Sequence, residues 1–201
     1  VKIEGTAMIS KERGATLTQL LVTMGVVGTL LAIGAYQVNQ WLPHYRLHAA
    51  TRSLIVQIQR ARLQAIQRGA AHYLDFDLDG DGCLRSGGCL LWEDWNGNLR
   101  KDPLERAETV LDFLALPGVW LKPYPRELGG PSRGPHDTEL AAGGGDGVTF
   151  TLDRIKFNPN GTCSAGTIYL HNTKGRTHAI RLRSHGLIEF WRHDGRDWER
   201  W

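Results

Sequence analysis

Between Leu20 and Val38 the chain carries no charged residue, and no other stretch limits its fold as much. These nineteen residues span roughly 28 Å as a helix, close to the hydrocarbon thickness of a bilayer. A short polar stretch ending in Lys11-Glu12-Arg13-Gly14 precedes the run. The run is too long, and its basic flank too close, for the apolar core of a cleaved secretory signal. No small-x-small cleavage site follows it, so the natural cut lies in front, at Gly14. The expectation is an N-terminal membrane helix that stays with the mature protein. It divides the chain into a leader (1–14), a transmembrane helix half (15–42) and a globular domain (43–201). Residues Val1 to Ala7 fit nothing in this pattern, whereas Met8 to Gly14 alone makes a leader of ordinary length; Met8 is the expected translation start.

Behind the membrane helix, a chain of 201 residues leaves one domain of about 150 residues, enough for a real core. The net charge of +3 is mild but unevenly spread. No Asp or Glu occurs between Glu12 and Asp75, while Arg46, Arg52, Arg60, Arg62 and Arg68 all fall there. Acidic residues dominate from Asp75 to Glu108, and basic ones return from Arg154. Lys11 and Arg13 favour a cytoplasmic leader by the positive-inside rule, and the five arginines beyond the run oppose that bias.

The helix is expected to continue past the membrane, with a kink or brief interruption at Pro43. From His44 to Arg68, Leu47, Ala50, Leu54, Ile58, Ala61 and Ala65 recur at spacings of three and four and make one apolar stripe. Ile55 and Ile66 widen it, and Gly69 supplies a C-terminal stop. The period then changes. His72–Phe76, Thr109–Leu116, Val119–Lys122, Val148–Leu152, Arg154–Phe157, Thr167–His171, Thr177–Arg183 and Leu187–Trp191 read as short strands between turn residues. Gly129 to Gly147, rich in Gly and Pro, reads as a loop. One long helix followed by antiparallel strands predicts an α+β domain whose sheet covers the helix stripe.

The leader ending in Gly14, then Thr16-Leu17-Thr18-Gln19-Leu20-Leu21-Val22 and the apolar run, resembles the class III signal of type IV prepilins. That resemblance implies a prepilin peptidase cutting after Gly14 on the cytoplasmic side and methylating Ala15. The family prefers Phe where Ala15 stands and Glu where Gln19 stands; its glutamate pairs with a neighbouring subunit's N-terminus during assembly. Further signatures resemble the minor pseudopilin H and FimT-like minor pilins. They are Ala61-Arg62-x-x-Ala65-Ile66-x-Arg68, the turn Asp94-Trp95-Asn96-Gly97-Asn98 with Asp102 and Glu105, Phe157-Asn158-Pro159-Asn160-Gly161-Thr162, and Ile180-Arg181-Leu182 before Gly186. The likeness covers most of Ser10 to Phe190. It implies a pilin-like fold and a structural subunit of a type II secretion pseudopilus or type IV pilus. The implied place is the inner membrane, single-pass, with a periplasmic domain. The implied partners are other pilins or pseudopilins, the peptidase, an inner-membrane assembly platform and membrane lipid.

Nucleophile elbow, HExxH, P-loop and dinucleotide fingerprints are all missing from the sequence, so an enzyme has no motif behind it. His44 and His48, four apart on a helix, suit a solvated or interfacial face better than a metal pair. Cys83 and Cys89, separated by five residues, read as a short-loop disulfide in an oxidising compartment, leaving Cys163 free; three reduced thiols are the alternative. Asp77, Asp79 and Asp81 alternate like calcium ligands, but Gly88 stands where the closing carboxylate belongs. Asp94, Asn96, Asn98, Asp102 and Glu105 fall at positions one, three, five, nine and twelve of an EF-type loop, with Leu99 in place of its sharp-turn Gly. Calcium is the only cofactor the sequence suggests, and none is required. The alternative function is a FimT-like DNA receptor for natural transformation, with Lys174, Arg176, Arg181 and Arg183 gripping phosphate. Against it, the family's basic Gly-Arg-x-Arg element stands here as Gly186-Leu187-Ile188-Glu189.

Overall fold

The computed structural model describes residues 16–76, 88–99, 101–112, 117–125, 128–135 and 147–201. The chain divides into residues 1–40 and 41–201. Helix α1 (Leu17–Arg68) supplies all the described structure of the first unit beyond Thr16, and opens the second. Thr16 caps it: its hydroxyl accepts the Gln19 N–H at 3.3 Å. Gly69, in the left-handed region at φ 66°, stops it by returning its N–H to the Ala65 carbonyl at 3.1 Å. The interruption expected at Pro43 is not found; α1 runs through it. Proline removes one N–H from a ladder that is intact on both sides, which is too little to end so long a helix.

Among the described residues nine strands follow: β1 (Ala71–Asp75), β2 (Gly88–Asp94), β3 (Ala107–Asp112), β4 (Val119–Trp120), β5 (Arg154–Phe157), β6 (Gly166–Asn172), β7 (Thr177–Leu182), β8 (Ile188–His193) and β9 (Trp198–Arg200). They form two antiparallel sheets rather than the single one expected, ordered β3-β2-β1-β5 and β4-β6-β7-β8-β9. Val148–Leu152 is not a strand. Val148 makes one bridge to Ile168, and Thr151–Asp153 is a 3₁₀ turn with Leu152 and Asp153 at φ 60° and 52°. β2 and β9 were not expected. In β2, Leu90-Leu91-Trp92 is a strand signal hidden between a cysteine and an acidic cluster; β9 is only three residues long.

Both sheets turn alternate side chains onto the stripe of α1. Leu47, Ala50, Thr51, Leu54, Ile58, Ala61 and Ala65 are buried. They form one core with Leu74 and Phe76, Cys89 and Leu91, Ile155 and Phe157 from the first sheet side, and Ile168, Leu170, Ile180 and Leu182 from the second. The six apolar stripe positions match those expected from spacing. Completely burying a Leu or Ile contributes about 1.5–3 kcal/mol, so this stripe dominates the helix's attachment.

One polar contact fixes the register of this packing. Arg62 donates from Nε to the Gly161 carbonyl at 2.8 Å, from Nη1 to Gly186 at 3.3 Å and from Nη2 to His185 at 3.2 Å. It thereby ties the β5–β6 turn and the β7–β8 turn to the helix. Gly186 sits at φ 84°, and a Cβ there would come within 2.3 Å of the Arg62 guanidinium carbon. The site therefore takes glycine for two separate reasons: backbone sign and space.

Leu54→Ala is expected to lower unfolding free energy by about 2–5 kcal/mol, whereas Val56→Ala, on a side chain 57% exposed, changes it by less than about 0.5 kcal/mol. Arg62→Lys is expected to cost about 2 kcal/mol, because one ammonium cannot reach three carbonyls. Denaturant titrations of the detergent-solubilised chain, followed by tryptophan fluorescence, measure all three.

Candidate functional site

The candidate sites are the apolar helix half, the acidic loop after β2, the basic residues around β7 and the histidines under the sheet. Gly14 and Ala15, the expected cleavage and methylation positions, lie outside the described residues. Gln19 does not: it occupies the first turn of α1, exposed, with its backbone held by Thr16. From Leu17 to Val38 the large apolar side chains are exposed, including Leu21, Met24, Val27, Leu31 and Ile33. Among the described residues, α1 is the one helix long and apolar enough to cross a membrane. Gly25, Gly28 and Gly34 have open space where a Cβ would point, so packing within the chain does not require them.

The acidic loop gathers all five residues singled out by spacing. Asp94, the last residue of β2 and 4% exposed, accepts the Gly97 N–H at Oδ1 (2.7 Å) and the Leu99 N–H at Oδ2 (3.2 Å). Asn96 and Asn98 both donate their amides to Asp102 Oδ2, at 2.6 and 2.7 Å. Asp102 donates its N–H to Glu105 Oε2 at 2.9 Å. Gly97 and Leu99 both lie in the left-handed region, at φ 73° and 61°. Leu99 thus adopts the backbone sign of the glycine it replaces. Arg154, paired with Asp75 at 2.8 Å, reaches the Leu99 carbonyl at 3.4 Å and fastens the loop to the sheet. Asp77, Asp79 and Asp81 lie outside the described residues.

Of the expected Cys83–Cys89 disulfide, only Cys89 lies among the described residues. Cys89 is a free, fully buried thiol, and Cys83 lies outside the described residues. Strand alternation puts Cys89 beside Leu91 in the core rather than at a hairpin tip. Burial, and then the nearby Asp75 carboxylate, push its thiol far above the ordinary range. Cys163 is free, as expected; its thiol donates to the Arg183 carbonyl at 3.1 Å.

The four basic residues are spread along β7 and the turns that flank it. Arg176 pairs with Asp194 at 3.3 Å and Arg183 with Glu189 at 3.2 Å. Arg176 immediately precedes β7 and Arg181 lies near its far end, roughly 17 Å apart at a strand rise of about 3.4 Å per residue. Lys174 lies in the β6–β7 turn, its backbone N–H held by Asn172 at 3.0 Å. Glu189, the acid that the resemblance places where the family carries a basic side chain, pairs with Arg183 directly. That pairing removes part of the charge a phosphate backbone needs.

The histidines belong to the helix–sheet seam. His44 meets the Asn172 amide at 3.1 Å, and His48 lies edge-on to His178, ring centres 4.7 Å apart. Among the described residues no group of three His, Cys, Asp or Glu is placed to hold a metal. Thr51 gives its hydroxyl proton to the Leu47 carbonyl at 2.7 Å, so in its 2.8 Å contact with His178 the imidazole Nδ1 is the donor. Sequence reasoning missed His178, whose alternation in β7 was its only signal.

Burial, with the nearby His48 and then Arg192 and Arg176, lowers His178 to about 3. Burial also lowers His44, His48, His171 and His193. An unfolded chain takes up these protons near pH 6.5, and the fold refuses them. Their contribution is therefore complete above pH 6.5 and is lost as pH falls toward 3. From His178 alone the slope is at most about 1.4 kcal/mol per pH unit. Urea midpoints are expected to fall steadily from pH 7 to 4, and the fall to be shallower in His178→Phe.

Residues 50–186 match the family model described as type II transport protein GspH. Over 93 residues the chain is 40% identical to a pilin-like protein, PilA1, of Thermus thermophilus, a match covering 46% of this chain and 55% of that protein. The chain thus spans about half the length of this curated relative. No solved structure matches. The family match begins in the buried stripe of α1, takes in the acidic loop and both turns that Arg62 clamps, and ends at Gly186, covering more than half of the residues; the chain belongs to the GspH family of type IV pilin-like proteins.

Proposed function

We propose that this protein is a structural subunit of a pseudopilus or pilus, anchored and assembled through the first half of α1. The observation that carries this reading is an uncharged helical surface, exposed from Leu17 to Val38, continuous with a helix half whose stripe is buried. Such a surface is stable only in lipid or against other apolar helices. Both settings belong to a subunit that waits in a membrane and then packs into a filament. Gly25, Gly28 and Gly34 allow close helix approach there. The leader through Gly14 faces the cytoplasm, the peptidase cuts before Ala15, and the domain from residue 43 lies in the periplasm. A motor-driven platform in the inner membrane lifts the processed subunit out, exchanging lipid for neighbouring subunits. The family description favours a type II secretion pseudopilus. Gln19 cannot supply the charge with which the family's glutamate meets a neighbour's N-terminus, so docking relies on apolar packing. Uptake of DNA is the weaker reading, because Arg176 and Arg183 are already paired with carboxylates.

Mass spectrometry of membrane-extracted protein is expected to find an N-terminus at Ala15, methylated, and Gly14→Glu to leave the leader in place. The wild-type chain is expected in the membrane and sheared-filament fractions. An N-terminus at Met8, or one beyond Val38, would sink the reading.

A further inference from the structure

The loop from Asp94 to Glu105 brings together the oxygens of Asp94, Asn96, Asn98, Asp102 and Glu105, and one of these oxygens is unsatisfied. Glu105 is 6% exposed, and its Oε1 is buried with no hydrogen-bond partner. Its other oxygen accepts the Asp102 N–H, so the orphaned oxygen lies within this loop. A buried carboxylate oxygen left without donors is costly, and a cation is the partner it lacks.

We propose that this loop is a calcium site, with Asp94, Asn96, Asn98, Asp102 and Glu105 as side-chain ligands. A bidentate Glu105 with one oxygen from each of the others supplies about six ligands, within the range calcium takes. The three carboxylates suit a hard divalent ion, and no thiol or imidazole in the set invites a softer metal.

The described arrangement is the loop closed on itself, not three carboxylates already converged. The Asn96 and Asn98 amides occupy Asp102 Oδ2, donating N–H where a bound ion would require oxygen. Calcium would take the place of those two donors, the amides turning their carbonyls inward. The backbone needs less change. Asp94 already holds the N–H groups of Gly97 and Leu99, and Leu99 already carries the left-handed sign of the tight turn. Trp95, exposed beside Asp94, is positioned to sensitise a lanthanide bound in the loop.

The test compares melting of the detergent-solubilised full chain in 2 mM calcium chloride with melting in chelator, for wild type, Glu105→Gln and Asp102→Asn. Terbium luminescence excited through tryptophan, with calcium competition, is the second readout. Glu105→Gln retains an oxygen for the Asp102 N–H, so it removes charge without removing the loop's hydrogen bond. Calcium is expected to raise the wild-type melting temperature by at least 3 °C and to quench the terbium signal. Both effects are expected to vanish in both variants. A wild-type chain indifferent to calcium, or a shift that survives either variant, would overturn the proposal. Should Asp102→Asn not fold, Glu105→Gln alone decides. Neither outcome bears on the N-terminal processing that tests the filament reading.

Discussion

The whole globular unit depends on one constraint: the second half of α1 must hide a stripe of apolar side chains, and two sheets share the task. Neither sheet has a self-sufficient core. Leu74, Ile155 and Phe157 on one side and Ile168, Leu170 and Ile180 on the other share one core with Leu47, Leu54 and Ile58 of the helix. The small residues of the stripe, Ala50, Ala61 and Ala65, are fully buried, as close backbone approach requires. Bulk at any of them would push a sheet away from the helix.

Apolar contact sets attachment but not register, since Leu and Ile can slide along one another at little cost. Arg62 supplies the missing direction. Its planar fork reaches carbonyls of two turns far apart in sequence, and Arg68, one helical turn and a half further on, pairs with Glu93 of β2 at 2.6 Å. The signature residues thus have mutual physical reasons: the arginines of the helix motif bind the turns that carry Gly161 and Gly186, and bind the strand that leads into the acidic loop.

Among the described residues, two features bear on what the chain meets outside itself. One is the exposed apolar surface from Leu17 to Val38, which nothing in the described chain covers. The other is the orphaned oxygen of Glu105. The filament packing and the calcium site proposed above would complete them. The basic residues around β7 show the opposite character, since Arg176, Arg183 and Arg192 are already matched by Asp194, Glu189 and Glu199.

The sequence alone determined whatever depends on local period and composition. The uncharged run could only be a membrane-length helix, the three-and-four spacing from Leu47 to Ala65 could only be one helix face, and most strands alternate visibly. That the five acidic-loop residues meet in one turn was also legible, because they lie close together in the sequence. Tertiary structure decided what depends on residues far apart. It placed Cys89 in the core. It split the strands into two sheets, since the helix stripe is wide enough to serve both. It gave Arg62 its three carbonyls and His178 its buried neutral ring. Long-range contacts of this kind leave no periodic trace, because their partners are chosen by the fold and not by neighbours in the chain.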